Sequence, residues 1–324
     1  MTVEIAASCV SPGTERAQYL RLPNARPPFP FTPGYSAAGH VVAIGPGVTD
    51  LAPGDLVALP KVPHASVVTA PVEEVYRVGS SVAPQEAALV YLAIIAGYGL
   101  SCGELAAAED VCVVGTGPIG ALAQRMALAR GAGTTTVIAA SRRREGLAMT
   151  GGASAFLVAG EDDAAIAALG AALVVDATGE PDALATALAA AGEGARVVLL
   201  GSPRGVTRDF PSGELRRKGL TLVGAHISTI VRRGRERGVD LIRTEGEAFL
   251  AALANGLRVA DLAGGPVDPR EADAFYRSLA NSQSLGAFFD WTALPQDQRL
   301  RRRRIWARPA TDARGAAYAG EPLP

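Results

Sequence analysis

The sequence predicts an α/β chain of two domains: a compact, partly antiparallel body of short strands, and a doubly wound parallel sheet covered by helices. Three observations lead there. Short Val-rich segments broken by Gly and Pro crowd the first hundred residues. From about residue 110, apolar strand-like runs alternate with helical patterns. At 324 residues, with 48% hydrophobic and 19% charged, the chain can fill two packed cores. A formal charge of -1 gives no global attraction to nucleic acid or to an anionic membrane.

Taken in order, HVVAIGPGV, DLVALP and ASVVTAPVEEVYRV read as strands punctuated by turns. A helix is expected from about Pro84 to Tyr98, with proline in its first turn, Ser81 as its cap and Glu86 placed early to suit the helix dipole. VCVVGTGPIGALAQRMALARGAG then reads as a strand, a glycine turn and an amphipathic helix. TTTVIAAS, ASAFLV, ALVVDAT and ARVVLLG follow as strands, separated by the helical stretches SRRREGLAMTGG, DAAIAALG and PDALATALAAAG. That alternation is the βαβ signature of a parallel sheet. A late strand, LTLVGAH, precedes helical pieces including GEAFLAALANGL and PREADAFYRSLAN. The expected division is 1–98, 99–235 and 236–324, the last part completing both the sheet edge and the first domain. The segment beyond Pro309 reads as loosely structured, and the basic run Arg301–Arg304 as a solvated face or an anion site.

Cys9, Cys102 and Cys112 have neither zinc-knuckle nor CxxC spacing. MTVEIAAS lacks the basic and apolar regions of a signal peptide, and the uncharged run 87–103 falls short of a membrane span. A reducing, cytoplasmic location is expected.

Gly115-Thr116-Gly117-Pro118-Ile119-Gly120 follows a strand and opens a helix, the context a Rossmann dinucleotide turn requires. The first glycine permits the bend, the second lets the backbone approach a pyrophosphate, and the third lets helix and strand pack closely. Unpaired N–H groups at the helix start face the phosphates. An acid at the tip of the second strand would grip a ribose 2′-hydroxyl; this chain has Ser141-Arg142-Arg143-Arg144. A hydroxyl and guanidinium groups suit a 2′-phosphate. The expected cofactor is therefore NADP(H), with Ser141, Arg142 and Arg143 as its phosphate contacts; a solvated helix start is the alternative. Thr178, Gly179, Gly201 and Ser202 close later strands and are expected near the nicotinamide, since ligands sit beyond the carboxyl ends of parallel strands.

SPGTE (11–15), PGYSAAGHVVAIGPGVTDLAPGDLVAL (33–59), HASVV (64–68), the QEAAL helix and VVGTGPIG together resemble the medium-chain dehydrogenase/reductase superfamily of alcohol dehydrogenases and quinone reductases. The resemblance implies a GroES-like, barrel-containing catalytic domain joined to the Rossmann domain, an active cleft between them, and a homodimer formed through the nucleotide domains. The SPGTE form resembles a zinc-free subgroup that includes bacteriochlorophyllide hydroxyethyl dehydrogenase, whose substrate does not carry over. The ligand places of zinc-bearing relatives fall on Pro12, Tyr35 and Leu92, and the acid of their G-H-E segment on Ser36. No zinc is expected, since three scattered His and three Cys make no ordinary tetrahedral set.

Without a metal, a carbonyl must be polarised by hydrogen bonds. Thr14, matching a proton-relaying hydroxyl of the zinc enzymes, and Tyr35, standing in a ligand place, are the leading catalytic candidates. Tyr91 is a further candidate, with a core or wall residue as the plainer reading, and His226, ending a late strand beside Ser228 and Thr229, is a candidate substrate contact. Glu15 is expected to order its loop through backbone hydrogen bonds, and His64 to be structural or cleft-lining. The expected function is zinc-independent, NADP(H)-linked hydride transfer with a small-molecule alcohol/ketone pair in biosynthesis. An ene or quinone reductase, or a dinucleotide-binding protein without turnover, are the alternatives.

Overall fold

The computed structural model describes residues 1–301, except 24, 26, 29 and 282–285, together with the pair 306–307. Residues 302–304 of the arginine run and the segment beyond Pro309 lie outside the described residues.

The chain divides into two compact units. The first is Met1–Tyr91 with Val259 onward, and the second is Leu92–Arg258. In chain order the first begins with β1 (Thr2–Val10), α1 (Pro12–Tyr19), β2 (Ser36–Ala43), β3 (Leu56–Pro60), β4 (Val67–Thr69), β5 (Tyr76–Arg77) and α2 (Pro84–Ala87). The boundary falls inside α3 (Val90–Cys102). The second holds β6 (Asp110–Val114), α4 (Pro118–Ala129), β7 (Thr134–Ala139), α5 (Glu145–Thr150), β8 (Ala155–Val158), α6 (Asp163–Ala168), β9 (Ala171–Asp176), α7 (Ala183–Ala190), β10 (Ala191–Leu199), α8 (Ser212–Lys218), β11 (Thr221–Gly224), α9 (Ile230–Arg237) and α10 (Leu241–Ala254). The chain then returns to the first with α11 (Ala260–Ala263), β12 (Gly265–Val267), α12 (Ala272–Asn281), β13 (Ala287–Asp290), α13 (Gln296–Arg301) and β14 (Trp306–Ala307).

In the first unit, β1 organises the sheet by changing partners along its length. Thr2–Glu4 pair with β4, Ala7–Val10 pair with β13, and β2 runs antiparallel along most of the strand. Register shifts against β2 at Thr2/Val3 and Ile5/Ala7 supply the bends that let one strand serve three neighbours. Val3, Ile5, Ala37, Val41, Val57, Leu59 and Val68 fill the space enclosed. The late strands β12 and β13, unmarked in the sequence reading, extend this sheet from β1.

The second unit is an all-parallel sheet of order β11-β10-β9-β6-β7-β8, the Rossmann order, with its crossing point between β6 and β9. Strands such as DVCVV and AALVVD are near-continuously apolar because helices cover both faces. Cys112, Val114, Val174 and Val197 pack with Ile166, Leu184 and Leu188, while Val137, Phe156 and Val158 pack with Ala148.

Two local readings need correction, and the compact units divide at other residues than expected. The helix expected over 84–98 is two helices, α2 and α3. The buried Ser36 hydroxyl enters the break, donating to the Ala88 carbonyl at 2.6 Å and accepting from the Tyr91 N–H at 3.0 Å. Ala83, rather than Ser81, occupies the α2 cap position, where its N–H reaches the Glu86 carboxylate at 3.4 Å. The compact units also divide near residues 91 and 258, against the expected 98 and 235. Most of α3 and all of α10 group with the nucleotide sheet because buried charges tie them there. Arg130, at the C-cap of α4, forms a short ion pair with Glu245 of α10, which also accepts from Ser101 of α3 at 2.5 Å. Arg125 donates to the Arg258 carbonyl at 2.7 Å.

The Arg130–Glu245 pair leaves no room at Gly97. A Cβ there would collide with the Glu245 carboxylate and lie 2.7 Å from the Arg130 guanidinium. Gly97→Ala is expected to destabilise the protein by about 1–3 kcal/mol, measured by chemical denaturation. An unaltered transition midpoint would show that the pair can move aside.

Candidate active site

On the nucleotide unit the glycine turn joins β6 to α4. Gly115 adopts φ +105°, a left-handed region that disfavours side chains, and its N–H donates to the Ile138 carbonyl at 2.8 Å. Gly117 is the cap residue of α4 with Pro118 at the helix start, and a Cβ on Gly117 would meet nothing within 4 Å. That open side is what a diphosphate approaching the backbone needs. Gly120 packs so closely that a Cβ would collide with the Gly115 carbonyl oxygen. Ile119 follows Pro118 in the first turn of α4.

The ends of β9 and β10 close on the same turn. Thr178 lies against Gly115, and its N–H and hydroxyl donate to Asp176 at 2.9 and 2.7 Å. Burial pushes the Asp176 carboxyl up, while those two bonds draw it down. Gly201 sits backbone to backbone against Gly179, and Gly179 against the Ser202 carbonyl. The structure thus brings Gly115, Thr178, Gly179, Gly201 and Ser202 together at the carboxyl end of the sheet.

The arginines after β7 part ways. Exposed Ser141 caps a 3-10 turn formed by Arg142–Arg144. Arg142 faces carboxylates, with Asp162 at 3.2 Å, Glu145 at 3.3 Å and Glu161 at 3.8 Å. Arg143 is exposed. Arg144, not singled out from sequence, turns back and donates to the Thr116 carbonyl within the glycine turn at 2.8 Å. Partial burial and the neighbouring Arg143 charge lower its pKa.

The catalytic candidates of the first unit gather around the SPGTE turn. Ser11 precedes α1, Pro12 starts it, and Thr14 and Glu15 lie in its first turn. Burial raises the Tyr35 pKa, the nearby Ser11 and Thr14 hydroxyls oppose the shift, and the Glu15 charge adds to it. Tyr91 meets Tyr35 edge-on with ring centroids 5.1 Å apart, a contact set by the Ser36 bonds at the start of α3. Thr14, Tyr35 and Tyr91 are therefore neighbours. His226 belongs to the other unit, where it is exposed and caps a 3-10 turn, its Nδ1 lying 2.7 Å from the Ser228 hydroxyl.

Glu15 does more than its sequence position suggested. Its carboxylate is almost fully buried and accepts from the Ser11 N–H at 2.8 Å, the Tyr276 hydroxyl at 2.6 Å and His64 Nε2 at 3.1 Å. His64 Nδ1 lies 2.7 Å from the Ser8 hydroxyl, which accepts from Trp291 Nε1 at 2.8 Å. Only spatial proximity reveals these partners, since Tyr276 is 261 residues from Glu15.

The residues at the zinc places do not fit zinc. Pro12 and Leu92 carry no donor side chain, and the buried Tyr35 phenol, its pKa raised, is a poor substitute for imidazole. Among the described residues, no three His, Cys, Asp or Glu side chains gather to hold a metal ion. None of the described helices is long and apolar enough to cross a membrane.

The alcohol dehydrogenase GroES-like domain model matches residues 1–135, and the zinc-binding dehydrogenase model matches 118–243. Among solved structures, the chain is similar to galactitol-1-phosphate dehydrogenase from Escherichia coli, with 20% identity, 89% of this chain and 92% of that one covered, and TM-score 0.74. It is also similar to a candidate zinc-binding dehydrogenase from Sinorhizobium meliloti bound to NADP (19%, 90% and 91%, TM-score 0.75). A third is 2R,3R-butanediol dehydrogenase from Bacillus subtilis (19%, 89% and 91%, TM-score 0.72). At these identities the likeness shows the fold. No curated protein sequence is significantly similar to the chain.

Proposed function

We propose that the chain, which matches the alcohol dehydrogenase GroES-like domain over 1–135 and the zinc-binding dehydrogenase model over 118–243, is an NADP(H)-dependent oxidoreductase of the medium-chain dehydrogenase/reductase superfamily that interconverts an alcohol and a ketone without a catalytic zinc. The observation that carries this reading is Tyr35. A phenol stands where the resemblance puts a metal ligand, near the Ser11 and Thr14 hydroxyls and edge-on to Tyr91, and burial keeps it protonated, in the form that can donate to a substrate oxygen.

In this reading the glycine turn and the α4 start hold the diphosphate, and Thr178, Gly201 and Ser202 flank the nicotinamide end. When bound, the nicotinamide supplies or accepts hydride. Tyr35 donates a hydrogen bond and then a proton to the carbonyl oxygen, and Thr14 and Ser11 hold its hydroxyl in place. Tyr91 limits how Tyr35 can swing. His226, already capping its own turn, is kept as a substrate contact only.

Ser141, Arg143 and Arg144 are the proposed 2′-phosphate contacts. Arg142 recedes because three carboxylates surround it. The double variant Arg143→Ala/Arg144→Ala is expected to weaken NADPH binding about tenfold to a hundredfold, as loss of charge-assisted bonds implies, and to leave NADH binding nearly unchanged. Fluorescence titration with both cofactors checks this; equal losses for both would remove the charge argument.

The reaction class is tested by following NADPH oxidation over a panel of ketones and enones. Turnover of ketones supports the proposal, whereas turnover of enones alone would replace it with alkene reduction. A cytoplasmic homodimer, paired along the β11 edge of the nucleotide sheet, completes the proposal; membership of the zinc-free SPGTE subgroup and a biosynthetic role go with it.

A further inference from the structure

The described residues offer three places that the proposed chemistry leaves unused. One is a groove lined by Leu100, Ser101, Arg130 and Arg237, whose charges already satisfy one another through Glu245 and Glu104. Another is the arginine-rich helix α9, where Arg232 pairs with Glu236 and Arg233 reaches the Gly224 carbonyl. The third, in the first unit, is the buried polar chain Trp291–Ser8–His64–Glu15–Tyr276, and it has a direction.

From Glu15 the chain reaches the turn that holds Tyr35. The carboxylate accepts the Ser11 N–H, and the same turn carries the Ser11 and Thr14 hydroxyls that lie near the phenol. From His64 it reaches the bend just before Tyr35. The His64 N–H donates to the Pro33 carbonyl at 2.9 Å, and a Cβ on Gly34 (φ +94°) would lie 2.6 Å from the His64 backbone nitrogen and 2.7 Å from its ring. The bonds assign the protons consistently. Trp291 can only donate to Ser8, leaving the Ser8 hydroxyl proton for His64 Nδ1 and the Nε2 proton for Glu15. His64 also packs edge-on against Phe289, with centroids 4.8 Å apart.

We propose that Glu15 and His64 are positioning residues for Tyr35, clamping its hydroxyl from the 11–15 turn on one side and from the 33–34 bend on the other. The proposal rests on Tyr35 being the acid of the reaction. Burial is the main reason the Tyr35 phenol stays protonated, and Glu15 on α1 and Cys9 on β1 add to it. Cys9 is itself pushed far up by burial and stays a thiol, and Tyr91 of α3 faces the same ring edge-on.

The test uses the full chain and the ultraviolet absorbance of tyrosinate. Glu15→Gln, which removes the charge, and His64→Gln, which keeps a donor for Glu15 and an acceptor for Ser8, are each titrated with and without Tyr35→Phe. The difference within each pair isolates the Tyr35 ionisation. We expect this step to fall in Glu15→Gln, and to fall also in His64→Gln, where loss of the ring opens the bend to water. A folded variant whose melting temperature drops while the Tyr35 step stays in place would reduce that residue to structural filling. Should Glu15→Gln fail to fold, His64→Gln decides alone. Unchanged turnover in Tyr35→Phe would overturn the acid role and leave the titration result standing, so the two failures are distinguishable.

Discussion

Replacing Tyr35 by phenylalanine is expected to lower turnover about a hundredfold to ten-thousandfold, the usual worth of a positioned general acid, with NADPH affinity unchanged. The substitution removes one oxygen and keeps the ring, so the edge contact with Tyr91 survives. The 11–15 turn is still tied by the bond from the Ser11 N–H to Glu15. A loss confined to kcat would mark an interaction made in the transition state. A rise in KM alone would instead make Tyr35 a binding wall, and unchanged kinetics would remove it from the chemistry.

Gly120→Ala is expected to have the second-largest effect, on cofactor binding and on stability together. The added methyl would strike the Gly115 carbonyl oxygen, a backbone atom that cannot swing away as a side-chain tip can. Relief requires α4 to move off β6, which lifts the helix start from the site where a diphosphate would rest. Overpacking of this kind costs about 1–3 kcal/mol. The expected readouts are an earlier denaturation midpoint and NADPH affinity reduced at least tenfold. Gly117→Ala is a control for the fold, because its Cβ meets nothing within 4 Å. It should leave stability nearly unaltered while crowding the cofactor.

What the sequence revealed and what it hid follow from the range of each interaction. The glycine turn was legible because its three glycines, the strand before and the helix after are all local. The parallel sheet was legible from alternating apolar runs for the same reason. Which of three consecutive arginines turns toward that glycine loop was not. A 3-10 turn has three residues per turn, so Arg142, Arg143 and Arg144 leave it in three directions, and only packing selects Arg144 for Thr116. The Glu15 hub was hidden more deeply. Its loop-ordering bond to Ser11 spans four residues, but His64 comes from the bend before β4 and Tyr276 from α12. The strands β12 and β13 escaped notice because they are short and carry no clear alternation. The helix ending at Tyr98 was misread because its interruption comes from Ser36, over fifty residues away.

The bends that follow β6, β9 and β10 interlock through main-chain contact, with Thr178 anchored to Asp176 and Gly179 wedged against Gly201 and Ser202. Such a rim has little conformational freedom left to surrender. Dinucleotide capture therefore need not freeze a wandering loop, and the entropy that association usually loses to loop ordering is spared. Affinity at this rim is then governed by how well the ligand's charges match a socket that already has its shape.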